Sequence, residues 1–268
     1  PDRFPYLLES TARGPLARYS LLLLAGEETL VCSANPSGHA HQHRRAFFEQ
    51  LDQAWNEQRT GAADPGGCPF IGGWFVYLGY EMASGIEERL DLPLNTTGLP
   101  DAIAHRCPGA IIVDHQQQRA RLVSETQQQL EILRDALQPT HFRARKPSDL
   151  TAQLESLNEE DPSRYVRAIE KIQQYLAAGD VFQVNVSRLW NGSFTVAPEA
   201  LELYKALMTT NPAPFSGMMR WGQQVLLSSS PERLVQIQGQ RIQTRPIAGT
   251  RPRGGTDERD QALSDELI

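Results

Sequence analysis

The longest uninterrupted apolar run in this sequence is short, and this limits the folds that the chain can adopt. The run extends only from Tyr19 to Gly26, whereas a helix that crosses a bilayer needs roughly 20 apolar residues. No charged region followed by an apolar one stands at the N-terminus, so we expect neither a secretory leader nor a membrane as partner. Residues 19–31 instead predict two short strands on either side of a turn.

Composition excludes further classes of protein. The chain has 268 residues, of which 40% are apolar, enough for one large domain or two small ones. The formal net charge is −6, and because no basic block stands out, we expect no nucleic acid as partner. The cysteines Cys32, Cys68 and Cys107 are odd in number and widely spaced, which argues against disulfides and favours the cytoplasm.

Segments of helical and strand periodicity follow one another along the chain. Apolar spacing predicts helices within 40–58, 125–137 and 200–208. A further helix is expected from Asp161-Pro162, a favourable start, to Gly179, a favourable end. The remaining apolar segments predict strands, namely 71–80, the hairpin 110–113 and 119–123, Val181–Trp190, and a meander over 225–228, 234–237 and 241–244.

A linker is predicted between the two halves of the chain. Residues 139–161 are rich in Arg, Lys, Pro, Ser and Glu and show weak periodicity. We place the linker at 141–160, between an N-terminal region at 1–140 and a second region at 161–268. The sequence stops at Asp265–Ile268 in what resembles the first turns of a helix, so we expect the second region to be incomplete.

One predicted strand carries a face of neutral polar groups. Alternation within Val181–Trp190 places Gln183, Asn185 and Ser187 on one side. Amide and hydroxyl groups position a polar substrate without supplying a titratable base. An exposed strand whose polar face meets only water explains the same pattern, so both interpretations stay open.

The segment Thr244–Gly255 predicts a turn suited to binding an anion. Gly249 permits close approach of the backbone to a ligand, and Thr250 offers a hydroxyl. Positive charge for a carboxylate comes from three arginines, which are Arg245, Arg251 and Arg253. A turn with solvated arginines is the alternative.

Common catalytic and metal-binding motifs are missing from the sequence. It has no GxGxxG before a helix, no GxxxxGK[ST] and no GxSxG, so nucleotide-binding and serine-hydrolase functions lack support. His39, His41 and His43 have the spacing of one strand face, but they stand beside a helix start without an acidic or cysteine ligand nearby in sequence. We therefore expect no metal site there.

Several short segments, spread over nearly the whole chain, occur in the order typical of one family. They are Leu7–Ser10, Arg18–Ser20, Gly72–Glu81, Gly179–Arg188, Asn211–Phe215, Ser230–Glu232 and Pro246–Thr250. On these segments the chain resembles the chorismate-utilising enzymes, which include anthranilate synthase component I. It is most similar to the branch of aminodeoxychorismate (para-aminobenzoate) synthase component I. The resemblance implies an α+β fold of stacked antiparallel β-sheets with outer helices, truncated in its C-terminal catalytic half.

The same resemblance implies substrate-binding positions. Gly249, through its amide, and Thr250, through its hydroxyl, match a loop that contacts chorismate, with Ala248 beside them. Gln183 matches the position at which isochorismate and salicylate synthases carry a lysine that activates water. Because an amide does not take a proton from water as that lysine does, ammonia is the implied nucleophile. Gln183 and Thr250 are the candidate catalytic residues.

The residue at position 248 bears on the choice between two aminating reactions. Many aminodeoxychorismate synthases carry lysine there, whose amine is thought to attack the ring, whereas anthranilate synthases carry alanine, as here. Residues 184–187 and 72–81 nevertheless resemble the aminodeoxychorismate branch more closely. We therefore expect 4-amino-4-deoxychorismate, a precursor in folate biosynthesis, as product. Anthranilate synthase component I and a non-catalytic binding fragment are the alternatives.

A second set of matching residues surrounds a tryptophan pocket in this family. The predicted pocket residues are Leu8, Ser10, Arg18, Tyr19, Asn211, Pro212, Pro214 and Phe215. They imply an effector site that holds tryptophan. The alternative is that Asn211-Pro212 merely ends a helix with a turn.

The resemblance also implies a cofactor and partners. Family members use Mg²⁺, and the matching ligands would follow Ile268, so we expect no metal ligand within these residues. The implied substrates are chorismate and ammonia, with the ammonia supplied by a glutamine amidotransferase, component II. Without the metal ligands, we expect these 268 residues alone not to turn over chorismate.

Overall fold

Helices and strands form two units. The computed structural model describes residues 2–12, 14, 17–33, 40–59, 67–138, 150–247, 249 and 251–266. Unit 1 comprises Pro1–Arg143 with Leu207–Ile268, and unit 2 comprises Ala144–Ala206. The elements are, in chain order, β1 (Tyr6–Glu9), β2 (Tyr19–Leu24), β3 (Thr29–Cys32), α1 (Ala40–Glu57), β4 (Gly73–Leu78), a 3₁₀ helix (Tyr80–Gly85), β5 (Ala102–Cys107), β6 (Gly109–Asp114), β7 (Arg119–Ser124), α2 (Gln127–Ala136), α3 (Leu150–Gln153), β8 (Leu154–Glu159), α4 (Pro162–Ala178), β9 (Trp190–Phe194), α5 (Ala200–Thr210), β10 (Phe215–Trp221), β11 (Gln224–Ser230), β12 (Gln236–Gln238), β13 (Arg241–Gln243) and α6 (Asp257–Asp265).

Two antiparallel sheets form the centre of unit 1. The larger has six strands in the order β11-β10-β1-β2-β6-β7, and the smaller has three in the order β3-β5-β4. Strand β1 lies between β2 and β10, so that Leu8 faces Leu21 on one side and Gly217 on the other. Two strands from late in the chain therefore complete the sheet that the first residues begin.

Apolar side chains fill the space between the sheets. Tyr6, Leu23 and Met219 of the larger sheet pack with Ile103 and Cys107 of β5, and all five are at most 2% exposed. Because β-strand side chains alternate between faces, the same strands also present apolar residues outward. Burial of this interior layer supplies most of the driving force for stacking the sheets.

Helices cover both outer faces of the stacked sheets. Phe47 of α1 and Met82 of the 3₁₀ helix pack on Ala102 and Ala104 of the smaller sheet. Leu133 of α2 packs on the larger sheet, in the same cluster as Leu24 and Ile111. This arrangement confirms the predicted α+β fold of stacked antiparallel sheets with outer helices.

A buried polar chain links the two sheets. The Tyr6 hydroxyl lies 2.8 Å from His105 Nδ1, and His105 Nε2 lies 3.0 Å from the Gly26 carbonyl oxygen. Since a carbonyl only accepts hydrogen bonds, Nε2 carries a proton and the Tyr6 hydroxyl donates to Nδ1. Burial, with a smaller contribution from Cys107, raises the pKa of the Tyr6 phenol.

A buried ion pair joins α1 to the start of β5. Arg44 Nη2 lies 2.8 Å from Asp101 Oδ2, and Arg44 Nη1 donates to the Ser84 hydroxyl at 2.7 Å. The Asn95 side-chain amide donates to Asp101 Oδ1 at 3.3 Å. The charges of the pair thus have partners on three different segments of the chain.

The predicted helix between Asp161 and Gly179 is confirmed in unit 2 as α4. The Asp161 carboxylate accepts a hydrogen bond from the Ser163 amide at 3.0 Å, and Pro162 stands in the first turn. Gly179 ends the helix in the left-handed region at φ 80°, where glycine avoids the steric cost of a Cβ.

The structure of unit 2 differs from the sequence-based expectation at two places. The predicted strand Val181–Trp190 is irregular up to residue 189, and the strand that follows is β9. Part of the predicted linker at 141–160 is ordered, because α3 and β8 occupy 150–159 and β8 pairs with β9. Alternation predicts only which side chains share a face, whereas a strand also needs a neighbour for its amides and carbonyls. Residues 139–149 lie outside the described residues.

The predicted division into 1–140 and 161–268 differs from the two units of the structure. Leu207–Ile268 belongs to unit 1 because β10 pairs with β1. Strands β5 and β10 were also not predicted. Ala102, Ile103 and Ala104 of β5 are fully buried, and a strand buried on both faces has no polar alternation to reveal it.

Three smaller expectations concern membranes, cysteines and histidines. Among the described residues, no helix is long and apolar enough to cross a membrane. Cys32, Cys68 and Cys107 are free thiols. His41 and His43 lie in α1, where residues two apart do not share a face, and His39 lies outside the described residues.

Candidate functional site

Two cavities in unit 1 contain residues that the sequence predicts to be functional. The first, of about 580 Å³, lies between the turn that follows Gly249 and helix α6. Its lining residues are Gly249, Arg251, Pro252, Arg253, Asp257, Asp260, Gln261, Leu263 and Ser264. Gly249 is thus placed at a cavity wall, whereas Ala248 and Thr250 lie outside the described residues.

Arginines in this first cavity are paired with acidic residues of α6 or its end. Arg251 Nε lies 3.0 Å from Glu266 Oε2, and Arg253 Nη1 lies 2.7 Å from Asp260 Oδ2. Arg245 is exposed and precedes the cavity residues in sequence. Part of the positive charge predicted for an anionic ligand is therefore neutralised within the chain.

Gln183, the other candidate catalytic residue, lies in unit 2. It is exposed, as are Asn185 and Ser187, within the irregular segment that precedes β9. Phe182 is 87% exposed and Val184 is 40% exposed, so both sides of the segment face solvent. The polar side chains that alternation placed together therefore do not form one face of a strand.

The second cavity, of about 310 Å³, lies beside β1 and β2. Five of its lining residues belong to the predicted effector pocket, and these are Leu8, Ser10, Tyr19, Pro214 and Phe215. The lining residues that sequence reasoning missed are Glu9, Leu21, Pro69, Ser216 and Arg233. Glu9 and Leu21 are within reach of prediction, because Glu9 lies in the matched segment Leu7–Ser10 and Leu21 in the predicted strands of residues 19–31.

Hydrogen bonds between distant segments shape this second cavity. The Ser10 hydroxyl donates to the Pro214 carbonyl at 2.9 Å. The Thr11 hydroxyl donates to the Ala213 carbonyl at 3.0 Å and accepts from the Ala213 amide at 2.9 Å. Ser216, which is 2% exposed, adds a hydroxyl contact to Thr11 at 3.1 Å. The end of β1 is thereby fixed to the segment that leads into β10.

Three residues predicted for the effector pocket do not line it. Asn211 and Pro212 are exposed. Arg18 Nη2 instead forms an ion pair with Asp114 Oδ2 at 3.1 Å, and its guanidinium lies 4.6 Å from the centre of the Tyr19 ring. Burial opposes ionisation of Asp114, but hydrogen bonds from Arg18 and nearby amides outweigh it and lower the pKa of the carboxyl. The Arg18 charge is therefore directed to Asp114.

Opposite charges nevertheless line the second cavity. Glu9 supplies a carboxylate, and Arg233 supplies a guanidinium that lies 5.8 Å from the centre of the Phe215 ring. The buried Nε of Arg233 has no hydrogen-bond partner among the described residues. Buried donors of this kind are normally satisfied, so this Nε is an exception within a residue that lines the cavity.

The implied Mg²⁺ would need several carboxylate or other oxygen ligands close together. The described residues contain no group of three or more His, Cys, Asp or Glu side chains arranged to hold a metal ion. The described part of the chain therefore does not fit a magnesium site.

The stacked sheets and the outer helices define an α+β protein with two cavities in unit 1. Comparison of the sequence with known families identifies the family. The chain belongs to the chorismate binding enzymes, which it matches over residues 6–268.

Relatives include enzymes with two different names. Anthranilate synthase component 1 of Thermus thermophilus is 31% identical over 98% of this chain and 58% of its own length. Aminodeoxychorismate synthase component 1 of Bacillus subtilis is 33% identical over 91% of this chain and 51% of its own length. This chain therefore spans little more than half the length of these relatives. Both relatives support the family equally well and do not distinguish its branches.

A solved structure supports the fold. Anthranilate synthase component I of Streptococcus pneumoniae superposes with a TM-score of 0.65, covering 96% of this chain and 57% of its own. The two sequences are 22% identical over that superposition. The shared fold agrees with the stacked sheets and outer helices described above.

Proposed function

We propose that this chain is part of an enzyme that aminates chorismate to 4-amino-4-deoxychorismate, as aminodeoxychorismate synthase component I does. A C–N bond forms at C4 of the ring, and the C4 hydroxyl leaves as water with a proton from ammonia. A glutamine amidotransferase partner supplies the ammonia in the cytoplasm. Membership of the chorismate binding enzymes supports the substrate.

The choice of nucleophile rests on one observation, the glutamine at position 183. The Gln183 amide has no basic lone pair with which to deprotonate water, and the Ala248 methyl group cannot form a covalent adduct with the ring. Ammonia needs neither a base that deprotonates it nor a covalent adduct between the enzyme and the ring. Gly249, at the wall of the first cavity, would hold the substrate through its backbone amide, and Thr250 through its hydroxyl.

Anthranilate synthase is the second candidate. Ala248 and the names of several relatives, among them that of Thermus thermophilus, favour it. In that reaction ammonia adds at C2 of the ring as the C4 hydroxyl leaves as water, and the enolpyruvyl group then leaves as pyruvate. The two candidates therefore differ in product rather than in substrate.

Product analysis tests the proposal. The polypeptide that carries these residues is incubated with chorismate, ammonium and Mg²⁺, and the products are separated by chromatography and identified by mass. We expect 4-amino-4-deoxychorismate, formed only when ammonium is present. Anthranilate with equimolar pyruvate would replace the proposal by the second candidate, and isochorismate would overturn amination altogether.

We also propose that the second cavity is an effector site for tryptophan. Glu9 and Arg233 are suited to the ammonium and carboxylate of an α-amino acid, and Leu8, Leu21 and Phe215 offer apolar contacts to an aromatic side chain. Arg233 lines the cavity, whereas Arg18, a predicted pocket residue, is paired with Asp114.

Arg233→Gln is expected to weaken tryptophan binding by about 10- to 100-fold, the effect of losing one hydrogen bond to a charged group. Calorimetric titration measures the affinity. Arg241→Gln, which removes an exposed arginine of β13, is the matched control and should bind as the parent does. Equal affinities for the parent and Arg233→Gln would exclude Arg233 as the carboxylate ligand, and no binding to the folded parent would exclude the effector site.

A further inference from the structure

One carboxylate holds the turn at 251–254 against α6. Asp260 Oδ1 accepts a hydrogen bond from the Gly254 amide at 2.9 Å, and Asp260 Oδ2 accepts one from Arg253 Nη1 at 2.7 Å. The bond from Gly254, followed by that from Arg253, lowers the pKa of Asp260 against the opposing effect of burial. Both oxygens of a charged Asp260 are thus directed at the turn.

Gly254 brings the turn very close to the helix. A Cβ atom on Gly254 would lie 2.3 Å from the Asp260 amide nitrogen and 2.7 Å from the Arg259 carbonyl carbon. No side chain fits there unless the turn or the first turn of α6 moves. Direct backbone contact and the Asp260 carboxylate therefore determine together where this turn lies.

The turn and Asp260 border the same cavity as Gly249. A shift of the turn therefore changes the wall that Gly249 forms. We propose that Asp260 is a positioning residue, which holds the turn at 251–254 and through it keeps Gly249 in place for substrate binding. This inference rests on the proposed function, because it takes chorismate as the ligand of the cavity.

The test compares three variants of the polypeptide that carries these residues. Asp260→Ala removes both acceptors, and Asp260→Asn removes the charge and one of the two acceptors. Glu258→Gln is the matched control, because Glu258 stands in the same first turn of α6 but is not among the described residues that line the cavity. It reports any general effect of removing negative charge from the helix start.

Steady-state kinetics distinguish positioning from a loss of folded protein. We expect the KM for chorismate to rise about tenfold in Asp260→Ala. This is the size expected when the displaced Gly249 amide loses its one hydrogen bond to the charged substrate. Asp260→Asn should show a smaller rise in KM. In both variants kcat should change less than about twofold, because the lost interaction binds the substrate and the transition state equally. Glu258→Gln should match the parent. A lower kcat at unchanged KM would show a merely structural role and overturn the proposal.

Hydrogen exchange gives a readout that does not depend on activity. Amides within 251–255 should exchange about tenfold faster in Asp260→Ala than in the parent or in Glu258→Gln, because local opening becomes easier. Unchanged exchange would refute the contact, and faster exchange at unchanged KM would refute its effect on the substrate. A parent that does not act on chorismate would refute the proposed function, while exchange would still decide whether Asp260 holds the turn.

Discussion

Asp101→Asn is expected to lower the free energy of unfolding by about 3–5 kcal/mol, because it leaves a buried guanidinium without its counter-ion. The side chains of Arg44 and Asp101 are 4% and 1% exposed, so water cannot replace the lost carboxylate. Arg44 keeps only the neutral Ser84 hydroxyl as a side-chain partner for Nη1. Urea unfolding followed by circular dichroism measures the loss.

Two further variants separate burial from charge. Glu131→Gln breaks an exposed ion pair with Arg134, in which the Glu131 and Arg134 side chains are 57% and 55% exposed. It should lower the free energy of unfolding by less than about 1 kcal/mol. The double variant Arg44→Met/Asp101→Leu removes both buried charges and should be more stable than Asp101→Asn. Equal losses for Asp101→Asn and Glu131→Gln would contradict the prediction.

Local signals explain which parts of the fold were predictable. Helix α4 was predicted because its start and end depend on single residues, the Asp161 cap and Gly179. The hairpin of β6 and β7 was predicted because its strands are neighbours in sequence. In such cases the residues that decide the structure lie within one turn or one hairpin of each other.

Long-range pairing explains what was not predicted. Strand β10 pairs with β1 across more than half of the chain, with Tyr6 opposite Met219. Nothing in the sequence of either strand indicates which strand it pairs with. The segment 181–189 has the alternation of a strand but no strand ladder in the described residues. A pattern of side chains thus indicates a face only where a neighbouring strand exists.

The effector pocket shows the same distinction at the level of a site. Leu8, Ser10 and Tyr19 are implied by the resemblance to the family, and the structure places them at one cavity. Arg18 was predicted from its position in sequence, yet its charge is paired with Asp114. Arg233 follows the matched segment Ser230–Glu232 directly, so the signal that could have found it was its adjacency to that segment.

The second large effect is expected at Tyr6, in the core between the sheets. Tyr6→Ala should lower the free energy of unfolding by about 3–5 kcal/mol, as for other buried aromatic side chains. Tyr6 is 1% exposed, and its ring stacks on Phe75 with the ring centres 3.9 Å apart. Loss of the ring leaves a cavity between the sheets that the surrounding strands cannot fully close. Urea unfolding, followed by circular dichroism at several wavelengths, measures the change in the free energy of unfolding.

Tyr6→Phe is the matched control, since it keeps the ring and removes only the hydroxyl. It should cost about 1–3 kcal/mol, because His105 Nδ1 then lacks a donor in a buried place. A cost as large as that of Tyr6→Ala would mean that the hydrogen bond, rather than the stacked ring, holds the sheets together. Because Tyr6 stands on the strand that also carries Leu8 of the second cavity, Tyr6→Ala should weaken tryptophan binding more than Tyr6→Phe does, linking the core between the sheets to the proposed effector site.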